Sequence, residues 1–257
     1  MSGVSITLGE VAASLVLVAL AVAVSRWRRA ELERDIAVAV VRSFVQLTAV
    51  GYVIQAIFDS DSLWLVAALL AGMVGFGTFT ARGRAKAVPG ATGPIAVALA
   101  VAAAVTLGLV LALGVFAAEP RYLVPVGGMV IGNSMTAVAV ALDRLADEMR
   151  DGRLKVEAML ALGATAQQAA RAVITRSLRS GMIPLIDSTK TTGVVFFPGT
   201  MVGMLVAGAE PLDAVRLQLI LLWVLLGAVA LAGLIAVSAG YRGFFTPAHQ
   251  LRELPPP

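Results

Sequence analysis

About seven stretches of this 257-residue chain are apolar and long enough to cross a bilayer as helices, and that repetition leaves few folds open. They run from Ile6 to Val24, Ile36 to Phe58, Leu63 to Thr80, Pro94 to Ala117, Tyr122 to Leu142, Ile183 to Val206 and Ala214 to Ser238. Inside hydrocarbon no water satisfies the backbone, so a spanning segment must be a helix or a strand of a closed barrel. Continuous apolar runs of this length, without period-two alternation, read as helices. Composition agrees: 59% of residues are hydrophobic and 14% charged, against about a quarter charged in soluble domains. The expected fold is therefore an all-α integral membrane protein.

The sixth run opens with Asp187-Ser188-Thr189-Lys190 and carries Pro198, so a kink, a break or a later entry is expected there. Loop charge sets orientation. Arg26, Arg28, Arg29 and Arg34 follow the first run, Arg82, Arg84 and Lys86 the third, a basic stretch from Arg144 to Lys190 the fifth, and Arg242 and Arg252 the seventh. The alternate turns, such as Asp59-Ser60-Asp61 and Glu210-Pro211-Leu212-Asp213, are short and mostly acidic. The positive-inside rule then predicts an outside N-terminus and a cytoplasmic C-terminus, and an even span count would strand one basic loop outside. Positive charge follows the first run rather than preceding it, the reverse of a signal peptide, so that run reads as a retained helix. The same rule accounts for the net charge of +4 without nucleic acid as a partner. The expected organisation is a membrane domain over residues 1–245, including a cytoplasmic segment at 143–182, and a disordered tail at 246–257. No repeat relates the two halves.

Most cytoplasmic mass lies between the fifth and sixth runs. Glu157 to Leu162 is rich in helix formers and stops at Gly163, a residue suited to a left-handed C-cap. Thr165 followed by Gln168 is a capping box that starts a second helix. The product is a helix-turn-helix with small residues, Gly163 and Ala164, at its turn. A solvated connector needs no such sharp turn, whereas a short rigid docking element does.

Glu157-Ala158, with Gly163 six residues after the glutamate, resembles the "EAA" loop of ABC permeases, although no Leu-Pro follows and the next proline is Pro184. Gly132-Asn133-Ser134-Met135, Leu160 to Thr165, Pro184 to Ser188 and Pro198-Gly199-Thr200-Met201 together resemble the bacterial FetB/YbbM permease family, which has plant relatives linked to aluminium tolerance. The resemblance implies an inner-membrane ABC transporter permease, with iron export proposed for the bacterial member. It implies a homodimer joined to a cytosolic ABC ATPase, with Glu157, Ala158, Gly163, Ala164 and Thr165 as the ATPase-coupling residues. ATP and Mg would be held by that partner, since no G-x-x-x-x-G-K-[ST] occurs in this chain and no cofactor site is expected in it.

Polar residues inside the runs are the candidate translocation pathway: Arg42, Gln46, Asn133, Ser134, Asp187 and Lys190. Two readings stand for each. Arg42 either snorkels to the cytoplasmic surface or contacts substrate, because a buried guanidinium costs about 2.5–3.5 kcal/mol in a span. Asn133 and Ser134 either serve packing or line the pathway. Asp187 and Lys190, one turn apart, form a structural pair or a gate latch. Gly128 and Gly132 form a G-x-x-x-G, and Gly199 and Gly203 follow Pro198, as candidate hinge or helix-packing positions.

The chain has no Cys, and its one His, His249, lies in the tail, so neither a conventional cage for a bare transition metal nor a nucleophile-base pair can be assembled. Scattered Met129, Met135, Met201 and Met204 read as gap filling. The chain reads as a transport subunit and not an enzyme, moving iron, another metal or a metal complex. An ion-coupled secondary transporter of a small polar solute, using Arg42 and Asp187, is the alternative.

Overall fold

The structure, a computed structural model, describes residues 7–252. Nine helices carry almost the whole described chain: α1 Leu8–Arg28, α2 Glu33–Ser60, α3 Leu63–Arg84, α4 Thr92–Ala112, α5 Pro120–Asp151, α6 Arg153–Ala161, α7 Ala166–Thr191, α8 Gly199–Val206 and α9 Pro211–Gly240. Six of them, α1 to α5 and α9, are long and apolar enough to span a membrane. The chain is an all-α membrane protein.

Local sequence accounts for the helix ends. Thr7 and Glu10 form a capping box at the start of α1, and Arg26 and Arg28 sit in its last turn, where cations favour the helix dipole. Pro120 and Pro211 open α5 and α9 at the first helical position, where their missing N–H has no intrahelical partner to lose.

α5 is the axis of the bundle, packed against α3, α4, α7 and α9. At 32 residues it is about 48 Å long, well beyond the roughly 30 Å hydrocarbon core, so its Asp143–Asp151 end projects from the apolar layer. The largest buried cluster lies at this end. Leu142, Leu145 and Met149 meet Ile95 and Leu99 of α4, Val173 of α7, Val237 of α9 and Phe244 beyond it. A second cluster joins Val126, Val130 and Ile131 of α5 to Leu221 and Leu225 of α9. α1 and α2 stand at the periphery, and α2 joins the body near its C-terminal end, through Ile57 with Val66 and Val124.

The sixth apolar run is not one span. α7 begins at Ala166, within the polar segment that precedes the run, and continues to Thr191, and Thr192–Pro198 is non-helical before α8 begins. Gly193 has φ +83°, outside the helical basin, and Pro198 cannot donate to the turn before it. The hydroxyls and charges of Asp187 to Thr192 also keep α7 from the apolarity of the other spans. The run is divided between α7 and α8. α7 runs antiparallel to α5, with Arg176 at Glu148, Gly181 at Ala137 and Ala141, and Ser188 in a cleft with Asn133. Its end therefore reaches only about halfway up α5, and α8 packs on α9 beyond it.

The tail is also more ordered than expected. Residues 246–252 fold into a short arm, with an antiparallel bridge between Phe245 and Leu251 and backbone bonds from Thr246 N to Gln250 O and Arg252 N to Phe244 O, both 2.8 Å. Local polarity suggested disorder there, but the buried Tyr241, Phe244 and Phe245 anchor the arm to the core. The remainder of the expected disordered tail, 253–257, lies outside the described residues.

The closest helix approach is at Gly181, where a Cβ would fall 2.6 Å from the Ala137 carbonyl oxygen and 2.8 Å from the Ala141 Cβ. Gly181→Ala is expected to push α7 off α5 at a cost of about 1–3 kcal/mol. A lowered melting temperature of the detergent-purified chain checks this; an unchanged one would refute the close contact.

Candidate translocation pathway and coupling element

Asn133 and Ser134 are neighbours on α5 that face different surroundings, because successive helical residues diverge by about 100°. Asn133 is exposed and its Nδ2 donates to Met129 O at 2.8 Å. Ser134 is fully buried, and its Oγ finds no hydrogen-bond partner among the described residues.

Asn133 opens onto a cleft of about 180 Å³ between α5 and α7, shared with Thr136, Gly181, Pro184, Ser188 and Val229. Its hydroxyls already donate within their own helices, Thr136 to Gly132 O and Ser188 to Leu185 O. Their lone pairs and Asn133 Oδ1 are left to accept bonds from whatever enters. Asn133 lies nine residues, about 14 Å of rise, from Leu142 at the edge of the apolar run, close to mid-bilayer.

Asp187 and Lys190 follow at the upper end of α7. They pair, Nζ to Oδ1 3.7 Å, with side chains 63% and 70% exposed. Lipid would charge about 2.5–3.5 kcal/mol for each such group at a span centre, so this end of α7 must meet water or protein. The non-helical Thr192–Pro198 follows directly, and irregular backbone at membrane depth persists only in such surroundings.

Arg42 and Gln46 are placed elsewhere. They line an open groove of about 480 Å³ along α2 with Ala37, Val38, Val41 and Val45. The Arg42 guanidinium lies 6.0 Å from the Phe76 ring centroid of α3, and among the described residues no hydrogen bond or ion pair joins it to Asn133, Asp187 or Lys190. The structure thus brings Asn133 beside Ser188 of α7, sets the Asp187–Lys190 pair on the part of α7 turned away from that cleft, and leaves Arg42 and Gln46 on a peripheral helix.

The glycines divide similarly. A Cβ on Gly128 would touch Met73 at 3.6 Å, an ordinary contact, while Gly132, Gly199 and Gly203 have open space beside them. The tight contact on α5 is at Gly127, against Leu70. Pro198 is the N-cap residue of α8.

At the other end of α7, the cytoplasmic segment folds as a helix-turn-helix. α6 ends at Ala161, Gly163 adopts φ +86°, and Ala164 leads to Thr165 as N-cap of α7. The capping box is present, with Gln168 Oε1 accepting from Thr165 N at 2.9 Å and Thr165 Oγ1 from Gln168 N at 3.3 Å. Glu157 pairs with Arg153 along α6 at 2.8 Å, beside Ala158. Leu154 and Leu162 project into solvent, 82% and 88% exposed.

One element escaped sequence reasoning. Glu148 of α5 bridges Arg144 at 2.8 Å and Arg176 of α7 at 2.6 Å, with its own side chain only 12% exposed. The Arg144–Glu148 spacing of four was readable, but a partner on another helix 28 residues away carries no local signal. This clamp fixes the root of α7 against α5.

Six long apolar helices around α5, with a polar cleft at Asn133 and a helix-turn-helix at one end, define a multi-pass membrane protein. The chain belongs to the uncharacterised protein family UPF0014, whose model matches residues 8–245. It is 40% identical over 242 residues to the UPF0014 membrane protein STAR2 of Oryza sativa subsp. japonica, covering 94% of this chain and 85% of the relative. It is 37% identical to Protein ALUMINUM SENSITIVE 3 of Arabidopsis thaliana, covering 94% and 88%. It is 33% identical over 251 residues to the Probable iron export permease protein FetB of Escherichia coli strain K12, covering 98% and 97%. No solved structure matches it.

Because the chain contains no cysteine, single cysteines report solvent directly. Thr136→Cys and Asp187→Cys are expected to react with a membrane-impermeant thiol reagent in inverted vesicles or nanodiscs, while Val16→Cys, 70% exposed on α1, stays unreactive. Equal protection of all three would mean that the α5–α7 face is not wet.

Proposed function

We propose that this chain is the membrane-spanning permease subunit of an ABC transporter in the cell's inner membrane, working as a homodimer and driven by a separate cytosolic ATPase that binds ATP and Mg. The observation that carries the reading is the continuity of α7. One 26-residue helix runs from the Gly163–Thr165 turn to the break beside Asp187 and Lys190. Motion imposed on the turn is therefore carried along one helix to the cleft beside Asn133, with the interior Pro184 as the position where that helix can bend. The exposed Leu154 and Leu162 give a partner apolar grip on either side of that lever.

Two copies with their α5–α7 clefts opposed would enclose Asn133, Thr136 and Ser188 around a shared aqueous path. That arrangement removes these groups from lipid. The N-terminus then lies outside and the C-terminus, with α6, in the cytoplasm, in keeping with basic Arg82, Arg84 and Lys86 at the same end as α6.

For cargo, the name of the FetB relative supports export of iron. Among the described residues no group of three or more His, Cys, Asp or Glu is placed to hold a metal ion. The oxygen acceptors of the α5–α7 cleft suit a hydrated or chelated metal, bound transiently, better than a bare transition-metal ion. Tight stoichiometric iron binding by the purified chain would contradict this cargo form.

Ala164 sits in the turn itself. Ala164→Asp is expected to abolish co-purification of the ATPase encoded beside this chain while leaving membrane insertion and melting temperature unchanged. Retained association would count against the coupling role. Ion-gradient-driven transport by the chain alone in liposomes would favour a secondary transporter instead. Gly163→Val, which forces a β-branched residue to φ +86°, is expected to cost about 1–2 kcal/mol locally and to lower ATPase stimulation more than association.

A further inference from the structure

The arm that follows α9 is built against the coupling turn. Tyr241 and Phe245 pack edge to face, ring centroids 6.3 Å apart, and Arg252 Nε donates to Phe245 O at 3.1 Å, so the arm's two limbs are tied to each other and to the core. At its tip His249, with φ +57°, accepts a hydrogen bond at Nδ1 from Ala166 N at 3.4 Å, across 83 residues of sequence. Ala166 is the first residue of α7, directly after the turn.

Between arm and turn lies an open cavity of about 480 Å³, walled by Gln167, Tyr241, Arg242, Pro247, His249 and Arg252. No carboxylate is among its lining residues, both arginines are exposed, and neither is in an ion pair among the described residues. The matched family model stops at residue 245, so His249 and Arg252 lie past it.

We infer that the arm and the α6–α7 turn form one composite docking surface, in which the Arg242–Arg252 cavity receives an acidic loop or helix end of the cytosolic ATPase. The inference rests on the permease reading and deepens it. The turn's exposed leucines supply apolar contact without direction, whereas two unpaired guanidinium groups beside them fix register and speed encounter. The cavity is continuous with the turn through Thr165 and Ala166, so a partner seated on one meets the other. His249 holds the two halves in a fixed relation.

The test compares full-length wild type, R242E/R252E, R242E alone and Ala164→Asp, each tagged, solubilised and titrated with the ATPase that wild type retains. R242E alone leaves the arm's own hydrogen bonds intact, which separates charge from misfolding. The expected result is association weakened about tenfold or more by either charge reversal, with a shallower salt dependence and, for R242E alone, wild-type melting temperature. R242K/R252K is expected to bind as wild type does. Wild-type association by both charge-reversed chains, with Ala164→Asp defective, overturns the inference and leaves the permease reading standing. Failure of wild type itself to retain any ATPase removes both. A charge-reversal defect that appears in anionic-lipid nanodiscs and vanishes in neutral ones assigns the cavity to lipid phosphate and also overturns the inference.

Discussion

Everything else in this fold depends on how closely α7 can lie against α5. Gly181 lets the two backbones approach until no side chain fits between them, and Glu148 ties their cytoplasmic ends through Arg144 and Arg176. Small residues matter in this way in membranes because lipid is as apolar as the helix surface, so association rests on close packing and polar contacts. The same pairing gives α7 a fixed track. A helix held along one face below Pro184 tilts or slides as a unit there, which makes the run from Ala166 mechanically useful rather than merely long.

Much of this was legible in the sequence, for identifiable reasons. Hydropathy placed α1 to α5 and α9, since hydrocarbon thickness dictates span length and backbone satisfaction dictates helix. The Thr165–Gln168 capping box and the glycine stop at Gly163 were legible because both are local. The break was legible only as an anomaly: Asp187 to Lys190 and Pro198 marked the region, but whether the backbone kinks or unwinds depends on Gly193 and on neighbours that hydropathy does not contain. Non-local features were invisible. The Glu148–Arg176 clamp joins two helices, and the arm at 246–252 is held by aromatics that a polar, proline-containing segment conceals.

The candidate pathway shows the same division. Asn133, Asp187 and Lys190 were recognisable one by one as costly in lipid, but the fold sets Asn133 in a cleft with Ser188 and leaves Asp187 and Lys190 paired outside it. Arg42 was equally costly by type, yet it lies on peripheral α2 against Phe76, apart from that cleft. Ser134 was read together with Asn133, but one residue of helical rotation buries its hydroxyl in the core. Depth and type are written in the sequence; azimuth around the helix is fixed by the neighbours.

The position of the break follows from what each half of the bundle must do. At the cytoplasmic end α7 is wedged among Leu142, Leu145, Val156 and Val237, a core with no room for independent movement. Beyond Thr191 the chain loses that contact, and α8 packs chiefly on α9. A helix continuous through both regions would transmit every tilt of the turn to the outer face of the bundle. Unwinding at Thr192–Pro198 lets the lower lever move while α8 keeps its seat. Within that segment Gly193 N donates to Phe196 O, and Val194 N and Val195 N to Thr191 O, so the chain satisfies much of its own backbone as it leaves the helix. A break that closes its own hydrogen bonds can persist where water is scarce, and it ends the lever at Thr191 without dragging α8 along.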